Sequence, residues 1–134
     1  MHDTDITLYN RVKGADYERD TYYATVLHNV SIKHIHGAET GTDGDRNIDT
    51  VNLSICEEYL QDKAYVKPKE YLVLADKTNK FTLHKGDFFV IGIVEENTEV
   101  DDFLSYMKEN YDDVHEILSV GTFNLIPHWE VMAR

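Results

Sequence analysis

The sequence is poor in cysteine, proline and basic residues: one Cys, two Pro, and thirteen Lys and Arg against 25 Asp and Glu in 134 residues. With Cys56 alone, no disulfide within the chain and no multi-cysteine zinc site can form, and Cys56 reads as a small packed thiol rather than a nucleophile. The net charge of −12 repels a phosphate backbone and argues against gripping nucleic acid or an anionic membrane, so nearby DNA is expected to pass without specific binding. No apolar run approaches the roughly 20 residues that cross a bilayer. The opening Met1-His2-Asp3-Thr4-Asp5 is acidic where a signal peptide is basic and then apolar, so synthesis in the cytoplasm and no membrane partner are expected.

Catalytic signatures are missing too. There is no Gly-X-Ser-X-Gly elbow, phosphate-cradling glycine loop or dinucleotide fingerprint, and Cys56 is followed by two acids where a low-pKa thiol needs positive charge. The abundant carboxylates sit mostly in an exposed stretch, whereas a general acid needs an apolar pocket. No catalytic residue, cofactor or metal is assigned, and the chain is expected not to be an enzyme.

What is present is a globular composition, 42% apolar with nine tyrosines, in a length that buries one core. Strand-like alternation runs through Ile6, Leu8, Asn10 and Val12. It recurs over 22–36, with Ala24, Val26, Val30 and Ile32 on one face and a bulge at His28-Asn29. Further strands are expected at 48–55, 71–75 after Pro68, 114–125 and 128–131. The run Phe88-Phe89-Val90-Ile91-Gly92-Ile93-Val94, entered through the Gly86 turn, is the candidate central strand. One helix is expected over 101–111, capped by Thr98, its dipole met by Asp101 and Asp102, with Val100, Phe103, Leu104, Met107 and Tyr111 as its apolar stripe. The fold class is therefore mainly β: a small antiparallel β-barrel or sandwich with one short amphipathic helix in the C-terminal third, a single domain over 1–134 with a mobile loop at 37–47. Phe89 and Trp129 are assigned to the core.

Three constellations bear on chemistry. His34 and His36 share a strand face at roughly 7 Å, a zinc-compatible spacing without further ligands; His28 has the same parity. Asp43, Asp45, Asn47 and Asp49 alternate as a calcium loop begins, but Ile48 stands where that loop needs glycine and Ser54 where it needs glutamate. The third is charge: nine acids from Glu95 to Glu116 face one base, Lys108, a local net of −8. That is a solvated surface or a face that repels DNA or meets a basic partner. Gly37, Gly41, Asp43 and Asp45 of the loop, with Asp101, Asp102 and Glu109 of the helix, are the candidate interface residues.

Several segments in order resemble short proteins of the head-to-tail gene module of tailed phages and prophages of Gram-positive bacteria. They are Ile6-Thr7-Leu8-Tyr9-Asn10-Arg11, the stretch 22–32, Pro68-Lys69-Glu70-Tyr71, Phe81-Thr82-Leu83-His84-Lys85-Gly86-Asp87 with Gly92, and His128-Trp129-Glu130-Val131. The family pattern has tryptophan where Phe81 stands and a cleaner turn than Gly121-Thr122-Phe123-Asn124. Such proteins are similar to head-closure or stopper components of the phage neck. The resemblance implies a virion protein, a subunit of a homo-oligomeric ring joining portal and adaptor to tail; the glycines of 37–47 and its lack of apolar anchors add the expectation that this loop orders on assembly. The competing expectations are an acidic soluble module that regulates a host protein and a small metal-dependent hydrolase using His34 and His36.

Overall fold

Alternating apolar residues produce eight strands in a computed structural model that describes residues 3–41, 44–123, 125 and 127–134. In chain order they are β1 Thr4–Val12, β2 Thr21–Gly41, β3 Gly44–Cys56, β4 Ala64–Tyr65, β5 Lys80–Phe81, β6 Phe88–Ile91, β7 Val114–Phe123 and β8 His128–Ala133. Six of them close an antiparallel barrel in the order β1-β2-β3-β8-β7-β6, and β4 and β5 form a separate parallel pair. Closure resolves barrel against sandwich, and it pairs the sheet edges within the barrel wall.

Two apolar clusters lie on opposite sides of the barrel wall. Ile6, Leu8, Leu27, Val30, Leu53, Phe89, Ile117 and Val131 fill the interior. Tyr9, Tyr22, Phe88 and Val90 point outward from the same strands and are covered by a helix, α2, spanning Phe103–Asn110, through Phe103 and Met107. The predicted stripe is this contact, with Val100, Leu104 and Tyr111 at its margin. Each fully buried side chain of this kind contributes about 1.5–3 kcal/mol. Phe89 is fully buried, and Trp129 packs on the rings of Tyr65 and Phe81.

The bulge expected at His28-Asn29 is present, with Thr4 opposite Val30 but Ile6 opposite Leu27. Asn29 takes a left-handed φ of 57° there, and the Asp5 carboxylate lies 3.2 Å from His28 Nδ1 and accepts from the Asn29 N–H. The extra residue flips side-chain parity. Val30 faces the core as expected, but before the bulge the inward residues are Thr25 and Leu27, not Ala24 and Val26.

Four other expectations are corrected. Residues 71–75 are not a strand: Pro68, at the first turn, opens a short helix, α1, over Pro68–Leu72, which buries Tyr71. The cap of α2 is Asp102, not Thr98; Asp102 has φ 50° and accepts from Ser105 N, and its other oxygen accepts from Ser105 Oγ at 2.9 Å. The run that begins at Phe88 stays a strand only to Ile91, because Gly92 turns the chain at φ +103°. The segment 37–47 is not a loop in its backbone: residues 37–41 pair with 44–48, while Thr42 and Asp43 lie outside the described residues.

Candidate functional site

The acidic stretch folds into one continuous surface beside α2. Glu95, Glu99, Asp101, Asp102, Glu109, Asp112 and Asp113 are exposed. Asp102 and Glu109, two helical turns apart, share the solvent face opposite Phe103 and Met107. Glu96 is used internally: it accepts from Tyr111 Oη at 2.6 Å and Tyr106 Oη at 3.2 Å, which raises both phenol pKa values. Lys108, the base of the stretch, is taken by Glu116. The segment between β1 and β2 extends this surface, since Arg19 reaches Asp101 at 3.5 Å and the two walls enclose an open cleft of about 480 Å³. Tyr17 stands at its edge at φ 67°, its ring wholly in solvent between Asp16 and Glu18.

The opposite charge collects at one mouth of the barrel. Asn10 sits fully buried on the inward face of β1, a polar residue where the pattern of Ile6 and Leu8 calls for an apolar one. Its amide donates to Thr82 O at 2.7 Å and to Asp87 Oδ2 at 2.9 Å, and its carbonyl accepts from the Thr82 N–H at 3.2 Å. The other Asp87 oxygen accepts from the Arg11 N–H at 2.9 Å. Burial pushes the Asp87 carboxyl pKa up, opposed by those two donors. Both oxygens accept hydrogen bonds from within the protein, and basic side chains surround them.

A cleft of about 350 Å³ gathers Arg11, Lys13 and Lys69 with His84 over a floor of Tyr71 and Asp87. Arg11 lies 4.0 Å from Asp20; among the described residues neither Lys13 nor Lys69 has an ion-pair partner. The Tyr71 hydroxyl is buried without a hydrogen-bond partner among the described residues, and its ring stands edge-on to Tyr23 with Lys77 Nζ 5.4 Å above it. On the outer side of α1, Leu72 and Val73 are exposed.

A third feature is the far end of β2 and β3. β1 accompanies β2 only to Val30, and β8 accompanies β3 only from Val51. From the Ile35–Thr50 pair to the Gly41–Gly44 pair the two strands form a ribbon of seven residue pairs, roughly 23 Å long, with no third strand among the described residues.

The candidate interface residues therefore divide between two places. Gly37 and Gly41 are backbone partners in the ribbon, Asp45 pairs with Thr40, and Asp43 and the side chain of Asp45 lie outside the described residues. Asp101, Asp102 and Glu109 belong to the acidic face. The side chains of His36, Asn47 and Asp49 also lie outside the described residues, so neither metal reading gains a geometry. The described part of it is different: His34 meets His115 of β7 at 6.3 Å between ring centres, while the bulge turns His28 toward Asp5. Desolvation lowers the His115 pKa, and no group of three metal-binding side chains occurs among the described residues. Burial and then Glu58 raise the Cys56 pKa, the opposite of what a nucleophile needs. The basic cleft was missed because its lysines and arginine come from segments 50 and more residues apart. Only the buried Asn10 and the His84-Lys85-Gly86-Asp87 turn hinted at it.

The chain belongs to a family of unknown function, DUF6751, whose match covers residues 1–134. Compared with curated proteins and with solved structures, it matches none.

Proposed function

We propose that this family member is a structural subunit of a tailed-phage neck, a head-closure or stopper component that forms a ring between portal or adaptor and tail. The observation that carries the reading is the β2–β3 ribbon. A closed barrel has no free sheet edge, yet here two strands run seven residue pairs beyond it with no strand on either outer edge among the described residues. An isolated two-stranded ribbon is marginal in water, so such an extension is stabilised by a neighbour that pairs with or covers it. Ring assembly supplies that neighbour. The acidic face fits the same role, since a surface of net −8 repels passing DNA and steers a basic partner into place.

The test is to locate the chain in electron-microscopy density of intact particles from a phage or prophage that encodes it. Density for a ring of this barrel at the head–tail junction is expected; purified virions that lack the chain would overturn the reading. The acidic face also favours a second reading, a module that binds a basic host protein, for which a stable one-to-one complex with such a protein and absence from particles are the expected results.

A further inference from the structure

The chain carries two surfaces of opposite charge, each with a shape that answers the other. One is the basic cleft at the barrel mouth, about 350 Å³, with Lys13 and Lys69 at its rim without an ion-pair partner among the described residues and exposed Leu72 in its wall. Its one carboxylate, Asp87, is buried with both oxygens satisfied, and the Tyr71 hydroxyl below has no hydrogen-bond partner among the described residues. The other is the acidic face, from which Tyr17 projects fully exposed between Asp16 and Glu18, with Glu99 and Asp101 across the adjoining cleft. Tyrosine anchors set in pockets and ringed by charge are the usual energetic centres of protein contacts.

We propose that the acidic face of one copy docks on the basic cleft of a second copy, with Tyr17 as the anchor that enters the cleft beside Leu72 and Tyr71. The inference rests on the ring reading, for which it names the contact between neighbours. The occupant is a second copy because the charges match within one sequence: in a chain of net −12, the cleft gathers three permanent cations and a histidine, and the face opposite in sign bears the most exposed aromatic ring among the described residues. A free acidic peptide from another protein would meet the same cations but compete with this face at the concentration of the assembled ring. Since the two patches differ, the contact is heterologous and propagates head to tail until rotation closes a ring.

The experiment uses the full chain in sedimentation at low and high salt, up to about 1 mM protein. Self-association that weakens with salt is expected. Tyr17→Asn, which keeps a residue tolerant of positive φ at an exposed site, and the pair Lys13→Glu with Lys69→Glu should each weaken it by about tenfold or more. A third variant reverses the partner surface, with Asp16→Lys, Glu18→Lys and Glu99→Lys. Neither charge-reversed variant should associate alone, and an equimolar mixture of the two should restore association, because every contact in an alternating assembly then pairs opposite charges. A wild-type chain that stays monomeric throughout, or association indifferent to Tyr17 and to charge reversal, would overturn the inference. Association indifferent to these changes, together with ring density in particles, leaves the ring reading standing while this contact falls. A salt-sensitive two-fold dimer that needs both surfaces keeps the contact and removes the ring.

Discussion

Asn10 and Asp87, 77 residues apart in sequence, meet at 2.9 Å inside the barrel mouth, where the amide of one satisfies the carboxylate of the other. The pair holds β1 against the turn that precedes β6, and it leaves the carboxylate in the floor of the basic cleft with its hydrogen bonds made inside the protein.

Removing either partner leaves buried donors or an acceptor without a mate. Asp87→Ala should cost about 2 kcal/mol of stability, because it strands both the Asn10 amide and the Arg11 N–H. Urea unfolding of Asp87→Ala, Asn10→Ala and the double variant should show strong non-additivity, the double costing much less than the sum.

Gly86 and Gly92 make a controlled comparison. Both have φ near +100°, but a Cβ on Gly86 would stand 2.9 Å from Arg11 Nη2, whereas one on Gly92 meets nothing within 4 Å. Both alanine variants should lose about 1 kcal/mol or more to backbone strain. Gly86→Ala should lose more, and in an Arg11→Ala background the two costs should converge in thermal melts.

The cap of α2 tests a different feature of backbone geometry. Asp102 combines φ 50° with a side chain that accepts from Ser105. Asp102→Ala should destabilise the helix by about 1 kcal/mol or slightly more, losing the cap and keeping the strain, while Asp102→Gly, free of the strain, should cost only a few tenths. Amide exchange along 103–110 should rise in the same order.

His115 predicts a pH dependence with a definite sign. Desolvation holds its folded pKa below the ordinary value near 6.5, so the unfolded chain binds the proton more readily. Its contribution is complete above about pH 6.5 and is lost as pH falls through the lower, folded value. His115→Phe, which keeps a ring against Phe89, should flatten the stability profile below pH 6.5 relative to the wild type. Parallel profiles would show that other groups set the slope.

Period-two alternation made most strands legible, because a barrel strand buries one face and wets the other. Ile6 and Leu8 point inward as their parity demands, and the bulge at Asn29 could be placed from the polar interruption alone. What the bulge does to parity could not: one added residue moves Ala24 and Val26 outward and brings Thr25 and Leu27 in. Tyr9, Phe88 and Val90 were equally opaque, since a strand covered on both faces loses its alternation. The stretch after Pro68 looked like a strand because Tyr71 and Val73 have strand propensities, which a five-residue helix anchored by one buried tyrosine overrides. Of the candidate site, the acids of α2 were visible as a run of charge. The basic cleft was not, because Arg11, Lys69 and His84 become neighbours only when the barrel closes.

The seam that closes the barrel is its shortest ladder: β6 pairs with β1 over four residues and with β7 over three. Two of those four, Phe88 and Val90, are fastened from outside by Phe103 and Met107 of α2. The helix thus works as a clasp, and its free side is the acidic surface. A load on that surface would bear on β6 through the contacts of Phe103 and Met107 with Phe88 and Val90.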